Sequence, residues 1–361
     1  MSNYLKYTLA LNLSMVLVFA CGGKVDTGAQ PGTGGGVAAS GGQSNAGGSS
    51  SWTNGIAPLH TEGKYFKDPN GKTVILRGVS IADPTDVDNR NSALSANQVL
   101  DLLTNSARGY YARVVRVPIY PDIWLAAPDT YLEQHLQPLV DHAVKLGLYV
   151  ILDWHEISDV VPVASRVKAF WDTMAPRFAN YTNVLYEIFN EPMDTANPSW
   201  DTWKRLAQPW VDAIRQVAPN TVILIGGPYW SQQIGGAASS PFTGSNLAYV
   251  GHIYPISAPT LLTEYSQITE AAASQPVVIT EWGYQTAPGE VYDGTQSSFG
   301  EPLKAYIEAH GLSWTAWCAD TIWAPTMFDA NWTLLTGSDQ MGDFAMTWLK
   351  EKKDLDQPIH Q

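Results

Sequence analysis

Short apolar segments recur along the chain after residue 70, and longer amphipathic segments separate them. Several of them lack the apolar–polar alternation of a half-exposed strand, which is typical of strands covered on both faces. The apolar segments are 74–79, 114–117, 149–152, 184–189, 222–225, 247–250, 277–280 and 313–317. The pattern therefore predicts eight buried, parallel strands.

Helical periodicity fills the intervals between these strands. Residues 129–146 repeat apolar positions on one helical stripe, namely Leu132, Leu136, Leu139, Val140 and Ala143. Similar segments cover 199–217, 260–273 and 299–310. Eight strand–helix units within about 300 residues predict a (β/α)8 TIM barrel of class α/β. A doubly wound open sheet is the alternative, but it usually has fewer strands and an early glycine fingerprint.

A β-hairpin is predicted ahead of the barrel. Segments 63–66 and 72–75 have strand character and flank Asp68-Pro69-Asn70-Gly71. Pro, Asn and Gly in this order are a strong turn signal between two strands. We therefore expect an N-terminal hairpin followed by a single barrel domain over residues 53–361.

The first twenty residues read as a lipoprotein signal peptide. Residues 9–20 are apolar except for Asn12 and Ser14, and Lys6 precedes them. This run is too short to span a bilayer as a helix, and it is typical of an export signal. It ends at Ala20-Cys21, which resembles a bacterial lipobox and predicts Cys21 as the acylated N-terminus. Simple secretion after cleavage nearby is the alternative.

Residues 21–52 are predicted to form a disordered tether. Of the 30 residues from 22 to 51, 11 are Gly and 5 are Ser, and none is aromatic. Such a segment cannot bury enough apolar area to offset its conformational entropy. We expect an exported protein that is either anchored by lipid to a bacterial membrane, facing periplasm or cell surface, or secreted. With Cys21 acylated, Cys318 would have no disulfide partner.

Charge and aromatic content narrow the choice of partner. The chain has 21 Lys and Arg against 34 Asp and Glu, a net charge of −13. This excess of acid argues against nucleic acid or an anionic lipid surface as a partner. The 14 Trp residues are a high number, and the flat apolar face of Trp suits stacking against a sugar ring.

Polar side chains interrupt the apolar strands where six of them end. Active sites of (β/α)8 barrels lie at this C-terminal face of the strands. The interrupting residues are Arg116, His155, Asn190, Glu191, His252, Tyr254, Glu281 and Trp317. Glu191 and Glu281 end the fourth and seventh strands, so their carboxylates can converge across the mouth. Two carboxylates that face one bond are the apparatus of glycoside hydrolysis, and their separation decides retention or inversion.

These motifs together resemble glycoside hydrolase family 5, the cellulase-type members of the retaining barrel clan. The most specific segments are Leu-Tyr-Glu-Ile-Phe-Asn-Glu-Pro at 185–192 and Val-Ile-Thr-Glu-Trp-Gly at 278–283. The resemblance covers 60–350 and implies that Glu191 is the acid/base and Glu281 the nucleophile. It also implies substrate-binding positions for Arg116, His155, Asn190, His252, Tyr254 and Trp317.

The resemblance also implies a role for each of these residues. Asn190 would hold the 2-hydroxyl of the scissile sugar, and Trp317 would be the floor beneath that sugar. Arg116 and Tyr254 would hydrogen-bond the nucleophile. His155 and His252 would line the site, with His252 near the acid/base.

For other residues near the strand ends, we expect structural roles or sugar contacts outside the catalytic centre. Glu187, Asp153 and Glu156 are expected to be structural, with Glu187 in a buried hydrogen-bonding position. Trp154, Trp282 and Trp314 are expected to pack in the core. Three tryptophans in loops after strands are candidate sugar platforms, namely Trp124, Trp230 and Trp323.

The expected activity is that of a retaining endo-β-1,4-glucanase without metal or organic cofactor, acting as a monomer on a β-linked polysaccharide. Two departures from the family pattern leave the glycan less certain than the chemistry. The segment 318–323 lacks a Lys beyond Trp317, and 80–84 lacks the His and aromatic residue often found after the first strand. β-Mannanase or another β-glucanase is therefore an alternative, as is a non-enzymatic, surface-tethered glycan-binding protein.

Two other hydrolase classes fit poorly. Metal-dependent barrels of the amidohydrolase type need a His-x-His pair on the first strand, where this chain has Gly78-Val79-Ser80. A serine hydrolase needs a Gly-x-Ser-x-Gly elbow, and residues 78–82 do not complete it.

Overall fold

The computed structural model describes residues 55–90, 93–193, 199–256 and 258–359. The predicted signal peptide 1–20, the tether 21–52 and Cys21 lie outside the described residues. Among the described helices, none combines the length and the apolar character needed to cross a membrane.

The predicted hairpin is present and has one additional strand. Strands β1 (His60–Glu62), β2 (Tyr65–Lys67) and β3 (Thr73–Val74) form an antiparallel sheet in that order. Asp68 closes the turn between β2 and β3 because its Oδ1 accepts the backbone N–H groups of Asn70 and Lys72 at 2.9 and 3.0 Å. Phe66 and Val74 pack with the apolar residues inside the barrel. The sheet therefore covers the end of the barrel where the strands begin.

The predicted barrel is confirmed, and its strands close in sequence order. The strands of the barrel are β4 (Arg77–Ser80), β5 (Val114–Ile119), β6 (Tyr149–Trp154), β8 (Val184–Glu187), β10 (Ile223–Ile225), β11 (Leu247–Ile253), β12 (Val277–Trp282) and β13 (Ser313–Ala316). All neighbours are parallel, and β13 pairs with β4 through Trp314 and Arg77. This closure rules out the open sheet.

Two short strands lie outside the barrel, and one predicted strand is divided. Strands β7 (Ile157–Ser158) and β9 (Glu191–Pro192) pair in parallel beyond the ends of β6 and β8. The prediction of one continuous strand over residues 74–79 was wrong. Val74 belongs to the hairpin sheet and Arg77 begins the first barrel strand, because the chain turns between the two sheets.

The four predicted helical segments are helical. They contain α4 (Pro128–Tyr131), a π turn (Leu132–Leu136) and α5 (Gln137–Leu146), then α7 (Trp200–Val217), α9 (Ala258–Ala272), and a second π turn (Gln296–Gly300) followed by α10 (Glu301–His310). The structure adds α1 (Pro84–Asn89), α2 (Ala96–Leu103), α3 (Pro121–Ala126), α6 (Val160–Phe178), α8 (Pro228–Ser231) and α11 (Met341–Glu351). Short 3-10 turns lie at Ser106–Arg108 and Gly235–Ala238.

The core has an inner and an outer layer. Aliphatic side chains from alternate strand positions fill the barrel, among them Ile151, Leu224 and Val278. Between strands and helices, large aromatic side chains dominate, and Trp314 stacks on Trp348 with ring centroids 4.2 Å apart. Burial of such rings contributes a large part of the hydrophobic free energy of folding. It also makes the barrel a rigid frame for the residues at its mouth.

Candidate active site

Glu191 and Glu281 meet at the mouth of the barrel. Glu281 is the fifth residue of β12, and Glu191 begins β9, where it pairs with Ile157. One carboxylate oxygen of each residue lies within 4.8 Å of the other. Glu191 is 9% exposed and Glu281 is 5% exposed, so both face a narrow opening. The two carboxylates are therefore close enough to act on the same bond.

Glu281 is held in its ionised form. Nη1 of Arg116 donates to Oε1 of Glu281 at 2.6 Å, and the hydroxyl of Tyr254 donates to Oε2 at 2.9 Å. Burial by itself would raise the pKa of Glu281, but the positive charges of His252 and Arg116 outweigh burial and lower this pKa to about 2. A carboxylate with this pKa is charged at neutral pH.

Arg116 is the centre of a buried ionic cluster. Its guanidinium is fully buried and donates to Glu187 at 2.8 and 2.9 Å and to Oδ1 of Asn190 at 2.7 Å. It also lies 2.9 Å from Asp153. Burial would raise the pKa of Glu187, but the charge of Arg116 lowers it, whereas burial raises the pKa of Asp153 to about 6. The structure thus gives Glu187 the buried, hydrogen-bonded position that the sequence predicted.

His252 is the partner of Glu191. Its Nδ1 lies 2.8 Å from Oε1 of Glu191 and 3.8 Å from Oε2 of Glu281. Burial would lower the pKa of His252, but the surrounding carboxylates, Glu281 first, raise it to about 10. Burial raises the pKa of Glu191, and the charge of Glu281 adds to this, although His252 acts in the opposite direction. The two facing glutamates therefore have pKa values shifted in opposite directions.

Thr280 is a site residue that the sequence analysis missed. Gly251 pairs with Ile279 and His252 with Glu281, so Thr280 is the extra residue of a β-bulge. Its hydroxyl lies 3.1 Å from Nε2 of His252 and donates to Glu187 at 3.1 Å. The bulge lets consecutive residues of β12 face the same site, which simple alternation forbids. The only sequence signal for this role of Thr280 was its position directly before the glutamate of the motif.

Asn190 has an amide group that is free to bind a ligand. Its Oδ1 accepts from Arg116, while its buried Nδ2 has no hydrogen-bond partner among the described residues. The hydroxyl of Ser231, which the sequence analysis did not select, donates to the backbone carbonyl of Asn190 at 2.7 Å. Ser231 and the two residues before it all have left-handed φ angles near +55° to +58°. This conformation is unfavourable for residues other than glycine, and such strain is common at functional sites.

Trp317 and His155 form one aromatic surface beside the carboxylates. Their rings are stacked, with centroids 5.2 Å apart and planes within 2°. Nδ1 of His155 lies 2.7 Å from Asp153, which links this surface to the ionic cluster around Arg116. All eight residues selected at strand ends are thus brought together, and Cys21 lies outside the described residues.

The three loop tryptophans have different environments. Trp124 is 4% exposed and packs against Trp154 and Phe170, so the prediction of a sugar platform at Trp124 was wrong. Its ring instead packs α3 against side chains of β6 and α6. Trp230 and Trp323 are partly exposed and stay candidates. Trp154, Trp282 and Trp314 are buried in the core, as predicted.

The same site contains a group of possible metal ligands. Within the described part of the chain, Glu191, His252 and Glu281 are the three ligand-type side chains whose ligand atoms approach within 4.8 Å of one another. Both ring nitrogens of His252 already have partners, since Nδ1 lies 2.8 Å from Glu191 and Nε2 lies 3.1 Å from Thr280. Arg116 already neutralises Glu281. The donor set therefore fits proton transfer better than metal binding.

Comparison with known proteins finds relatives that are named endoglucanases. An endoglucanase of Clostridium saccharobutylicum is 30% identical over 266 residues, which is 72% of this chain and 56% of that protein. The chain spans about half the length of the curated relatives it matches.

Solved structures share the fold. A β-glucanase from Saccharophagus degradans in complex with cellotetraose has a TM-score of 0.74 at 28% identity, covering 83% of this chain and 94% of that chain. The catalytic domain of an endoglucanase from Thermobifida fusca has a TM-score of 0.68 at 26% identity, covering 81% and 97%. Residues 68–321 also match the sequence family Cellulase (glycosyl hydrolase family 5). With its closed barrel and paired glutamates, the chain therefore belongs to glycosyl hydrolase family 5.

Proposed function

We propose that the protein is a retaining endo-β-1,4-glucanase. The observation that carries this proposal is the pair of glutamates at the mouth, within 4.8 Å and with pKa values shifted in opposite directions. Retaining glycosidases hold their two carboxyl groups about 5–5.5 Å apart, whereas inverting enzymes need about 6.5–9.5 Å to fit a water molecule. The endoglucanase names of the relatives and the cellotetraose bound to the S. degradans enzyme support a β-1,4-glucan as substrate.

In the first step, Glu281 is the nucleophile and Glu191 the acid. The ionised carboxylate of Glu281 attacks the anomeric carbon while the glycosidic C–O bond breaks. Glu191, whose pKa is raised, gives its proton to the departing oxygen. The products are a glycosyl ester on Glu281, an ionised Glu191 and a free leaving-group sugar.

In the second step, Glu191 acts as a base. It takes a proton from water, whose oxygen attacks the anomeric carbon and displaces the carboxylate of Glu281. Esterification has removed the negative charge of Glu281, and that charge contributed to the raised pKa of Glu191. The pKa of Glu191 therefore falls when it must hold a negative charge, and it returns to its protonated form as the ester is hydrolysed.

The neighbouring residues position these two groups and the sugar. Arg116 and Tyr254 fix the oxygens of Glu281 by hydrogen bonds at 2.6 and 2.9 Å. The free Nδ2 of Asn190 is the donor for the 2-hydroxyl of the sugar under attack. Trp317, with His155 stacked against it, provides the apolar surface beneath that sugar.

A substrate panel tests the activity itself. We expect the purified protein to release internal fragments from carboxymethyl-cellulose faster than from β-mannan, β-1,3-glucan or mixed-linkage glucan. Viscosity loss and product sizing measure this directly. Preferential cleavage of mannan or a different glucan would reject the substrate, and glycan binding without cleavage of any of them would support the non-enzymatic alternative.

Variants of the two glutamates distinguish their roles. We expect Glu281→Ala to lose turnover about 10³-fold or more on every substrate, since no ester can form. Glu191→Ala should lose about 10²–10⁴-fold on cellulosic substrates but far less in the first step on dinitrophenyl glycosides, whose leaving group needs no proton. Glu62→Ala is a matched control, because Glu62 is an exposed glutamate on the hairpin sheet, at the end of the barrel opposite the glutamate pair. Equal loss with both leaving groups in Glu191→Ala would contradict its role as the acid.

The charge of His252 gives a prediction for the pH profile. Glu281 must be ionised, so activity is lost as pH falls through its pKa of about 2, and Glu191 must be protonated, so activity is lost as pH rises through its raised pKa. Protonated His252 favours the ionised form of both glutamates. His252→Gln should therefore shift both limbs of the kcat/KM profile to higher pH.

The control for this profile is His60→Gln, since His60 lies on the exposed hairpin sheet. Its profile should match that of the wild type. An unchanged basic limb in His252→Gln, or a shift to lower pH, would show that His252 does not set the protonation of Glu191.

We also propose that the protein is exported and anchored through lipid on Cys21, as the apolar run and the residues Ala20-Cys21 suggest. In a bacterial host, the wild type should incorporate labelled palmitate and sediment with membranes, whereas Cys21→Ser should do neither. Soluble, unlabelled wild-type protein in the medium would favour plain secretion.

A further inference from the structure

Acidic and basic side chains are concentrated at opposite ends of the barrel. Each helix that follows a barrel strand begins near the mouth and runs back toward the base, the end where the strands begin. Acids in the first turn of a helix are Asp86, Asp122, Asp201, Glu301 and Asp343. Basic residues in the last turn are Lys145, Arg177, Arg215 and Lys350. The helices therefore make the base more positive than the mouth, although the chain carries a net charge of −13.

Three lysines on the hairpin sheet add to this positive charge. Helix dipoles favour cations at helix ends, but they do not explain Lys64, Lys67 and Lys72, which lie in strands and turns. Nζ of Lys67 donates to the hydroxyl of Thr73 at 2.8 Å, and Nζ of Lys72 donates to the backbone carbonyl of Gln357 at 2.6 Å. These acceptors are neutral, and none of the three lysines forms an ion pair within the described part of the chain. Their charges are therefore not compensated.

Two further cations continue this surface across the base. Gln357, which accepts from Lys72, belongs to the segment after α11, and the last turn of α11 carries the exposed Lys350. Nζ of Lys350 lies 3.9 Å from the point where a Cβ on Gly109 would stand. The exposed Arg108 directly precedes that glycine in the turn before β5. We call this set the basic face, and its members are Lys64, Lys67, Lys72, Arg108 and Lys350.

An exposed tyrosine lies between two lysines of the basic face. The side chain of Tyr65 is 37% exposed, and Nζ of Lys64 and of Lys67 lie 5.5 and 5.4 Å from the centroid of its ring. Tyrosine is enriched at membrane–water interfaces, because its ring is apolar and its hydroxyl is polar. Lysines beside it attract anionic lipid headgroups. The combination therefore suits the surface of an anionic bilayer.

The predicted tether is connected to the barrel at this same end. The described chain begins at Gly55, and Ile56 and Leu59 pack with the apolar residues inside the barrel beneath the hairpin sheet. As the flexible coil that its composition predicts, the stretch from Cys21 to Gly55 would span roughly 30 Å. An acyl group on Cys21 would therefore be connected to the base and not to the mouth.

We propose that the basic face binds an anionic phospholipid surface and so turns the mouth of the barrel away from the membrane. This inference rests on the proposed anchoring through Cys21, which would bring the base to a membrane. Glu191 and Glu281 lie at the opposite end of the strands, so the bound enzyme presents them to a polysaccharide outside. The acids at the mouth do not prevent this contact, because charges more than about 8 Å from the surface are largely screened at physiological ionic strength.

The test uses the chain from residue 22 onward, so that neither the apolar run 9–20 nor an acyl group can hold it on a bilayer. Both layers of the core lie after residue 55, so this chain retains the folded barrel. The vesicles contain phosphatidylcholine alone, or phosphatidylcholine and phosphatidylglycerol in equal amounts. In co-sedimentation we expect partitioning onto the anionic vesicles to be about tenfold stronger or more. Salt at about 1 M should abolish the difference, because the Debye length falls to about 3 Å.

Two triple variants with the same change of net charge locate the binding surface. The first combines Lys64→Ala, Lys67→Ala and Lys72→Ala. It should lose about tenfold or more of the partitioning, since each cation near an anionic surface contributes about fivefold. The control lies on α6 and α7 and combines Lys168→Ala, Lys204→Ala and Arg205→Ala. It should partition like the wild type, and thermal denaturation of both variants reports any loss of folding.

Fluorescent labels report which end of the barrel meets the vesicle. Tyr65→Cys and Ile322→Cys each provide one reactive thiol for an environment-sensitive dye, because the native Cys318 is fully buried. Ile322 is 63% exposed and follows β13 at the mouth. On anionic vesicles, the emission of the dye at position 65 should shift to shorter wavelength, and that of the dye at position 322 should not change.

Three results would overturn the inference. They are equal partitioning onto neutral and anionic vesicles, an equal loss in the two triple variants, and a shift of the dye at the mouth instead of the dye on the hairpin. Failure of the proposed anchoring is a separate result, because it would appear as wild-type protein without labelled palmitate. Failure of the glycosidase proposal would appear as inactivity on every glycan of the panel.

Discussion

The ion pair between Arg116 and Glu281 is the interaction on which the rest of the site depends. Arg116 is fully buried and compensates Glu281, Glu187 and Asp153 at distances of 2.6 to 2.9 Å. Removing one partner of a buried pair typically costs about 3–5 kcal/mol, because the other charge is left without compensation. The same side chain therefore supports folding and the ionised state of the nucleophile.

The barrel makes this arrangement possible because six of its strands each contribute one or two side chains to a common mouth. Arg116 on β5 contacts both Glu187 on β8 and Glu281 on β12 in the interior. Two local irregularities refine their positions. The bulge at Thr280 turns two consecutive residues toward the site, and the pairing of β7 with β9 holds Glu191 beyond the end of its barrel strand. In this arrangement one carboxylate oxygen of each catalytic glutamate lies within 4.8 Å of the other.

The sequence was sufficient to predict the barrel and the eight residues at its mouth, because both predictions depend on local patterns. Strand apolarity, helical spacing and polar residues at strand ends each leave a signal within a few positions. The division of segment 74–79 left no such signal, since the apolar run continues through it. Trp124 also follows a barrel strand in the sequence, as a sugar-stacking tryptophan would. Only its packing against Phe170 in the structure shows that it is buried.

Long-range polar contacts were the least predictable part. Arg90 and Asp320 are 230 residues apart, and no spacing rule connects them. Ser231 reaches Asn190 only because Tyr229 and Trp230 adopt left-handed conformations without glycine. Close approach of Gly226 to Ser231 permits that turn, because a Cβ on Gly226 would clash with the serine hydroxyl. These features depend on the assembled structure.

The central claim is that one glutamate is ionised, the other is protonated, and their separation enforces a covalent intermediate. The anomeric form of the first product tests this claim most directly. Proton NMR during the first minutes of hydrolysis, before mutarotation, should show new reducing ends in the β configuration. An initial excess of the α anomer would mean that water attacks directly, and it would contradict the account.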